Sequence, residues 1–445
     1  MTPISTEIDQ LYISHLNELQ VRYESALSTV EADGFLIASG ELIETFLDDQ
    51  TYPFKVNPHF NQWLPITDNP GSFVVFRPGC KPVLLFHQAD DYWHKPPADP
   101  SGFWVREWDI RTISSFGEVS DCISDLVAPV FIGAEHDLAT ALGIEQINPT
   151  PVLDALHFDR SYKTEFELGC IQLANNTAVE GHLAAKAAFE QRLSEFDIQH
   201  CYLKAIRHRE QSTPYPGIIG LNENCAVLHY QHYETTPPDE FLSLLIDAGA
   251  CQYGYAADVT RTYAANPGRF QELVNAVDEQ QQAIIDDIEP GINYMQLHEK
   301  MHLRVCDLLK QFNLINMSPE AMLENDISRT FLPHGLGHML GLQTHDVAGF
   351  QQSRQGANLL PDEKSPALRL TRNIEERQVF TIEPGIYFIP SLLSDLRDSK
   401  SGKDVNWLEV EKLIPYGGIR IEDNITIKDG NVVNLTRNAF ANTSS

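Results

Sequence analysis

Three histidines fall within twelve residues in Phe331–Asp346, FLPHGLGHMLGLQTHD: His334, His338 and His345. Histidine is scarce and is the usual nitrogen ligand for metal ions. The glycines at 335, 337 and 341 are expected to let the backbone turn tightly beside a ligand. Upstream, Phe241–Thr262 reads FLSLLIDAGACQYGYAADVTRT, an apolar strand ending at Asp247 and a second strand carrying Asp258. A hairpin would set those two carboxylates side by side. Downstream, VFTIEPGIY at 379–387 is a strand pattern that ends on Glu383 before a Pro-Gly turn. In GGIRIEDNITI at 417–427, Ile419, Ile421 and Ile425 alternate with Arg420 and Glu422, so period 2 puts the two charges on one face. A charge on a strand this apolar needs a metal or a counter-charge.

Taken singly, each motif also fits a plainer role. Asp247 could cap a turn and Asp258 be a surface charge, the histidines could be scattered on the surface, and Arg420 with Glu422 could be a structural ion pair. Together they supply two Asp, two Glu and one His, without a thiolate. Four carboxylates are too negative for one divalent ion but suit two, held ~3.5–4 Å apart by bridging carboxylates, where they share and activate one water. Oxygen-rich ligation with one nitrogen favours Mn²⁺ or Co²⁺ over a thiolate-type Zn²⁺ site.

These residues must be positioned by strands. Runs at 241–249, 255–263, 378–388 and 417–427 read as strands, and 269–288 and 294–312 as helices, an antiparallel sheet carrying helices on one side. The first ~155 residues read as an α/β layer: a helix over 8–30, a strand at 34–38, a hairpin around Pro78-Gly79 and a strand–helix unit opening at Phe131. The Pro-, Trp- and His-rich stretches 52–65 and 92–108 read as surface loops. Pro149–Pro151 mark the expected boundary, giving domains 1–155 and 156–445, with a long helix over 163–189 opening the second.

The ordered set Asp247, Asp258, His338, Glu383 and Glu422, within LIDAGA, ADVTRT, PHGLGHMLG, TIEPGIY and GGIRIED, resembles the pita-bread metallopeptidases. Within them the chain is similar to bacterial Xaa-Pro dipeptidases (prolidases), including those called organophosphorus acid anhydrolases. The likeness extends to FLDDQTYPFKVNP at 46–58. It implies a curved antiparallel sheet covered by helices, and hydrolysis of Xaa-Pro dipeptides by a hydroxide bridging two ions. By that resemblance Asp247 would chelate one ion, Asp258 and Glu422 would bridge both, and His338 and Glu383 would complete the second. Glu383 would shuttle the proton. His229, His334, His345 and Arg420 would surround the substrate, with His229 and His345 binding the scissile amide and its oxyanion. Arg369 would grip the proline carboxylate, and Tyr215 and Tyr294 would line the pocket. The likeness further implies a homodimer in which Asp49 and the loop near Trp93 reach the neighbouring site. Phosphotriester hydrolysis is expected as a side reaction of the same site. Aminopeptidase P shares the metal set, so the carboxylate clamp at Arg369 is what favours a dipeptidase; a non-catalytic scaffold is disfavoured because all five ligands are present.

Bulk properties bound the rest. A formal charge of −30 argues against nucleic-acid partners. The N-terminus, MTPISTEIDQ, has no signal-peptide pattern, and no apolar run is long enough to span a membrane. Seven widely spaced cysteines without CxxC read as reduced thiols in a cytoplasmic protein.

Overall fold

The alternating apolar residues of α1 (Ile4–Leu27) place Tyr12, Leu16, Leu19, Tyr23 and Leu27 on one buried stripe. That helix opens the computed structural model, which describes residues 4–89 and 92–443. The chain divides into two compact units, one reaching Cys170 and including Ser353–Ala357, the other taking the remainder from Ile171 onward. Both this division and the expected one near 155 fall inside helices.

In the first unit α1 is followed by β1 (Gly34–Ala38), α2 (Pro58–Trp63), β2 (Phe73–Phe76), β3 (Val83–His87), β4 (Asp109–Ile113), α3 (Gly117–Cys122), β5 (Pro129–Ile132), α4 (His136–Ala141), β6 (Gln146–Ile147) and α5 (Thr150–Arg160). The strands form one mixed sheet, β4-β3-β2-β1-β5-β6. β2 and β3 pair antiparallel around Pro78-Gly79, as their pattern predicts. Every residue of β1 is buried, so both faces of the sheet are covered. Leu36, Phe73, Leu85 and Phe131 pack with Val119 of α3 and Ala139 of α4. Phe35 and Phe76 meet Tyr23 of α1, and Trp63 of α2 packs on Phe76.

The stretch 52–65 is a surface loop only up to Asn57; from Pro58 to Trp63 it is a helix, buried from His59 onward. Asn57 accepts from the His59 amide as an N-cap, Pro58 suits the first helical turn, and Phe60 and Trp63 are fully buried. The stretch 92–108 is mixed: Trp93 is 76% exposed, whereas Trp104 and Trp108 are buried, Trp108 donating to the Tyr12 hydroxyl at 2.9 Å. Residues 43–52 fold back as a small hairpin, with Thr45 N–H donating to Gln50 O at 2.8 Å and Tyr52 N–H to Ile43 O at 2.9 Å. At its tip Phe46 and Leu47 are each 89% exposed. The segment Ser353–Ala357 is held in this unit by Arg354, whose guanidinium donates to both carboxylate oxygens of Asp159 at 2.9–3.1 Å.

Helix α6 (Glu165–Glu190) starts at a capping box in which Thr164 N–H donates to Glu167 Oε2 at 2.7 Å and Glu167 N–H to Thr164 Oγ1 at 3.3 Å. It leads to α7 (Glu195–Ile206), β7 (Ile218–Leu221), β8 (Ser243–Asp247), β9 (Cys251–Gln252), β10 (Tyr255–Ala256), β11 (Thr260–Ala264), α8 (Arg269–Asp286) and α9 (Tyr294–Gln311). Later come β12 (Val379–Ile382), β13 (Gly385–Tyr387), β14 (Gly418–Arg420), β15 (Asp423–Lys428) and β16 (Asn431–Asn434), then a C-terminal helix, Leu435–Thr443. All pairings in this unit are antiparallel: β7-β8-β11, β12-β15-β16, β13-β14 and β9-β10. A bridge between Thr260 and Glu422 joins the first two sets. α8 and α9 bury Leu273, Val277, Ile284, Leu297, Met301 and Val305 in the large core that also takes Phe380, Ile382 and Ile425 from the strands.

Candidate metal centre

Asp247 ends β8, and its cross-strand partner on β11 is Thr260. Asp258 lies two residues ahead of that partner, in the approach to β11 rather than within the strand. The two carboxylates nevertheless converge: the Tyr215 hydroxyl reaches Asp247 Oδ1 at 2.8 Å and Asp258 Oδ1 at 2.5 Å. Glu383 and Glu422 occupy matching interruptions of two strands. β12 pairs with β15 and β13 with β14, while Glu383-Pro384 and Ile421-Glu422 fall in the gaps. Breaking the ladder there turns both side chains to the same side as Asp258.

His338 arrives on a strand-like segment beside β12. Thr381 N–H donates to His338 O and Glu383 N–H to Leu336 O, both at 2.9 Å. The glycines of this segment serve close approach rather than left-handed turns, since neither Gly335 nor Gly337 has a positive φ. A Cβ on Gly337 would collide with the Thr381 carbonyl and the Tyr294 hydroxyl, and one on Gly335 would lie 2.8 Å from Leu368 Cα. His338 Nδ1 faces the Met339 carbonyl at 3.0 Å, which can only accept, so Nδ1 carries a proton. Nε2 is left pointing at Asp258 Oδ2, 3.4 Å away, and Glu383 Oε1, 3.5 Å away.

Asp258, His338 and Glu422, all buried, each offer one ligand atom within 4.8 Å of the others. Burial pushes Glu422 well above the carboxylate range, reinforced by Asp258, Glu383 and Asp247. Burial likewise lifts Glu383 to about 7 and raises Asp247 despite the Arg420 charge beside it. Asp258 is lowered, because hydrogen bonds and charge from His338 together with the Tyr215 hydroxyl outweigh its burial. Four clustered carboxylates facing one guanidinium and one imidazole are short of positive charge. A donor set of carboxylate oxygens and one imidazole nitrogen fits hard or borderline divalent cations.

Arg420, expected around the substrate, is buried and fully engaged. It donates to Asp247 Oδ2 at 2.5 Å, the Tyr387 hydroxyl at 2.7 Å and Thr260 Oγ1 at 3.2 Å. Tyr294, expected on the pocket wall, has no exposed surface and donates to the Thr381 carbonyl at 2.7 Å. Both shifts have one cause: a centre this buried needs its polar neighbours for internal hydrogen bonds. His334 faces the Tyr387 hydroxyl at 2.9 Å and the Gly335 carbonyl at 2.8 Å, and burial holds its pKa down near 3. His345 is exposed on its outer side and meets the His338 ring edge-on at 4.4 Å. Partial desolvation, then the charges of His338 and Arg369, lower its pKa to about 4. His229 lies exposed on a turn, near enough to influence both His334 and His345. Arg369 is exposed and unpaired among the described residues. Tyr215 belongs to the carboxylate pair itself.

Sequence reasoning missed two threonines and a tyrosine. Thr260 donates to Glu422 Oε2 at 2.6 Å. Thr381 Oγ1 takes the His338 amide at 3.1 Å and donates to Glu383 Oε1 at 3.2 Å. Tyr387 joins His334 to Arg420. Their signal was proximity: each sits two to four residues from a proposed ligand or opposite one across a strand pair.

Residues 10–158 match the family model for the Xaa-Pro dipeptidase N-terminal domain, and residues 169–429 that for metallopeptidase family M24. The Xaa-Pro dipeptidase of Pseudoalteromonas atlantica is 45% identical over 441 residues, 98% of this chain and all of that relative. This chain belongs to the bacterial Xaa-Pro dipeptidases of family M24. The Xaa-Pro dipeptidase of Aeromonas hydrophila is 46% identical over 433 residues, 97% of this chain and 98% of its own length. Among solved structures, Escherichia coli aminopeptidase P with the inhibitor Pro-Leu matches with a TM-score of 0.73 at 22% identity, covering 95% of each chain. That likeness speaks for the fold: an N-terminal α/β domain and a pita-bread C-terminal domain, as the motifs imply. No helix among the described residues is long and apolar enough to cross a membrane.

Proposed function

We propose that this chain is a metal-dependent dipeptidase that hydrolyses dipeptides ending in proline, using two divalent ions, Mn²⁺ with Co²⁺ as substitute. The observation that carries the reading is the buried convergence of His338 Nε2 with Asp258, Glu383 and Glu422, in a chain so similar to Xaa-Pro dipeptidases along its length. Asp247, Asp258, His338, Glu383 and Glu422 would hold the ions between them. When bound, such ions supply an activated water and polarise the scissile carbonyl. The residues around them do the rest. Glu383 takes the proton of the attacking water on a carboxylate oxygen and delivers it to the proline nitrogen. His345, neutral at physiological pH, offers an N–H to the amide oxygen as charge develops there, with His229 beside it. Arg369, unpaired among the described residues, grips the free carboxylate of proline through two parallel bonds.

On this reading residues 1–155 are the N-terminal domain and 156–445 the catalytic domain. The enzyme works in the cytoplasm as a homodimer and turns over phosphotriesters slowly. Turnover of Ala-Pro, Leu-Pro, Gly-Pro, a proline-free dipeptide and an Xaa-Pro tripeptide by Mn²⁺-loaded protein tests it. Cleavage confined to the Xaa-Pro dipeptides is expected. Brisk tripeptide cleavage would instead indicate an aminopeptidase P, and full activity of metal-free protein would sink the mechanism.

A further inference from the structure

Asp258 lies between β10 and β11, outside any strand ladder, so its amide and carbonyl need partners from elsewhere. One side chain supplies both. Asn424 Oδ1 accepts from the Asp258 amide at 3.1 Å, and Asn424 Nδ2 donates to the Asp258 carbonyl at 2.5 Å. The donor and acceptor ends of this carboxamide admit only one orientation. Asn424 is held in turn by Thr436, on the C-terminal helix, whose hydroxyl accepts from the main-chain N–H of Asn424 at 2.9 Å. That hydroxyl donates to Asn175 Oδ1 at 2.7 Å, and Asn175 Nδ2 donates to the Ile171 carbonyl at 3.0 Å. Asn424, Thr436 and Asn175 are all completely buried. Glu422 is anchored differently, through Thr260 and through Arg261, which donates to the Glu422 carbonyl at 2.8 Å.

We infer that Asn424, locked by Thr436, is a positioning residue that fixes the main chain of Asp258 and so sets the affinity of the metal centre. The inference rests on Asp258 being a ligand, as proposed above. The carboxamide acts as a strand partner for a residue that has none, and the C-terminal helix holds the main chain from which it projects. Groups that orient a ligand rather than bind the ion typically change metal affinity by roughly 10- to 100-fold when removed. Substrate contacts are untouched by this chain of bonds, so the Michaelis constant at saturating metal is unaffected.

The test is calorimetric titration of metal-stripped full-length protein with Mn²⁺, with elemental analysis of the loaded protein and circular dichroism to establish folding. Asn424→Ala should weaken binding of at least one ion by roughly 10- to 100-fold, yet fill both sites at excess Mn²⁺ and keep the wild-type Michaelis constant there. Thr436→Val, which loses one hydroxyl, should weaken binding roughly two- to tenfold, and Thr436→Ser should restore it. Thr426→Val removes a comparable buried bond, 2.8 Å to the Gln378 carbonyl, two residues along the same strand, and should leave Mn²⁺ affinity unchanged. Wild-type affinity in folded Asn424→Ala, or an equal loss in Thr426→Val, overturns the inference; if Asn424→Ala does not fold, Thr436→Val decides it on the same terms. Asp258→Asn separates the two levels. Unchanged affinity in that variant would overturn the ligand assignment, and this inference with it, whereas a loss there with none in Asn424→Ala would overturn the positioning role alone.

Discussion

His338 and His345 touch edge to face, but their ring nitrogens have different company. His338 is buried with Nε2 on two carboxylates, while His345 opens outward. His338→Ala should therefore lose metal content together with activity. His345→Ala should retain both ions and lose roughly 10²–10³ in turnover, the usual effect of removing one donor to a developing oxyanion. Elemental analysis beside steady-state kinetics decides it, and the reverse pattern would refute the assignment. Arg369→Ala should raise the Michaelis constant for Xaa-Pro about tenfold to a hundredfold, more than it lowers turnover, because a charge-assisted bidentate contact is lost. Unchanged kinetics would remove the clamp from the mechanism. At this scale the convergence of Asp258, His338, Glu383 and Glu422 was legible, because a carboxylate or imidazole in an apolar strand calls for an explanation. Thr260 and Thr381 were not, since a threonine in a strand is already explained by β-propensity.

Two elements impose conditions of their own. Gly337 sits where β12 and the start of α9 close on the histidine segment. Gly337→Ala should cost about 1–3 kcal/mol by overpacking, and shift His338 enough to weaken metal retention. Thermal melting with metal analysis would detect both, and an unaltered melt would show that the segment has slack. On α9, His298 and His302 are buried. Burial, then the Arg329 charge, lowers the His298 pKa to about 4, with Asp362 opposing; burial, His298, Arg329 and His334 lower that of His302. Both are neutral in the fold and take up protons near 6.5 when unfolded. Their contribution is thus intact above pH 6.5 and falls as pH drops toward 4, by at most about 1.4 kcal/mol per pH unit for each histidine. Denaturant melts across that window should show the decline, and His302→Gln should flatten it. The strand runs 255–263, 378–388 and 417–427 are each interrupted, at Asp258, Glu383 and Glu422, whereas the long helices followed their periodicities closely. Helix α2 did not, because Pro58 and His59 carry loop-like composition, while its helical signal lies in the Asn57 cap and two buried aromatics that only tertiary packing reveals.

For the molecule as a whole, a charge of −30 on a 50.1 kDa chain means that two copies repel at long range. The proposed dimer needs a short-range attraction to offset this, and the hairpin tip with Phe46 and Leu47 is the obvious candidate. Sedimentation should give twice the chain mass at physiological salt, shifting toward monomer at low salt, where screening is weaker. Phe46→Ser with Leu47→Ser should shift it further at either salt, and a salt-independent monomer would discard the dimer. The dependence of Asp258 on Asn424 and Thr436 carries another consequence, for the order in which the molecule is made. The proposed ligands run from Asp247 to Glu422, and the hydroxyl that locks Asn424 comes from the C-terminal helix. A ribosome must therefore have passed residue 436 before the proposed pocket can close around a cation. Under the proposed assignment, loading follows synthesis of the C-terminal helix, and a nascent chain halted before residue 422 would lack Glu422 and the Asn424–Thr436 anchor of Asp258.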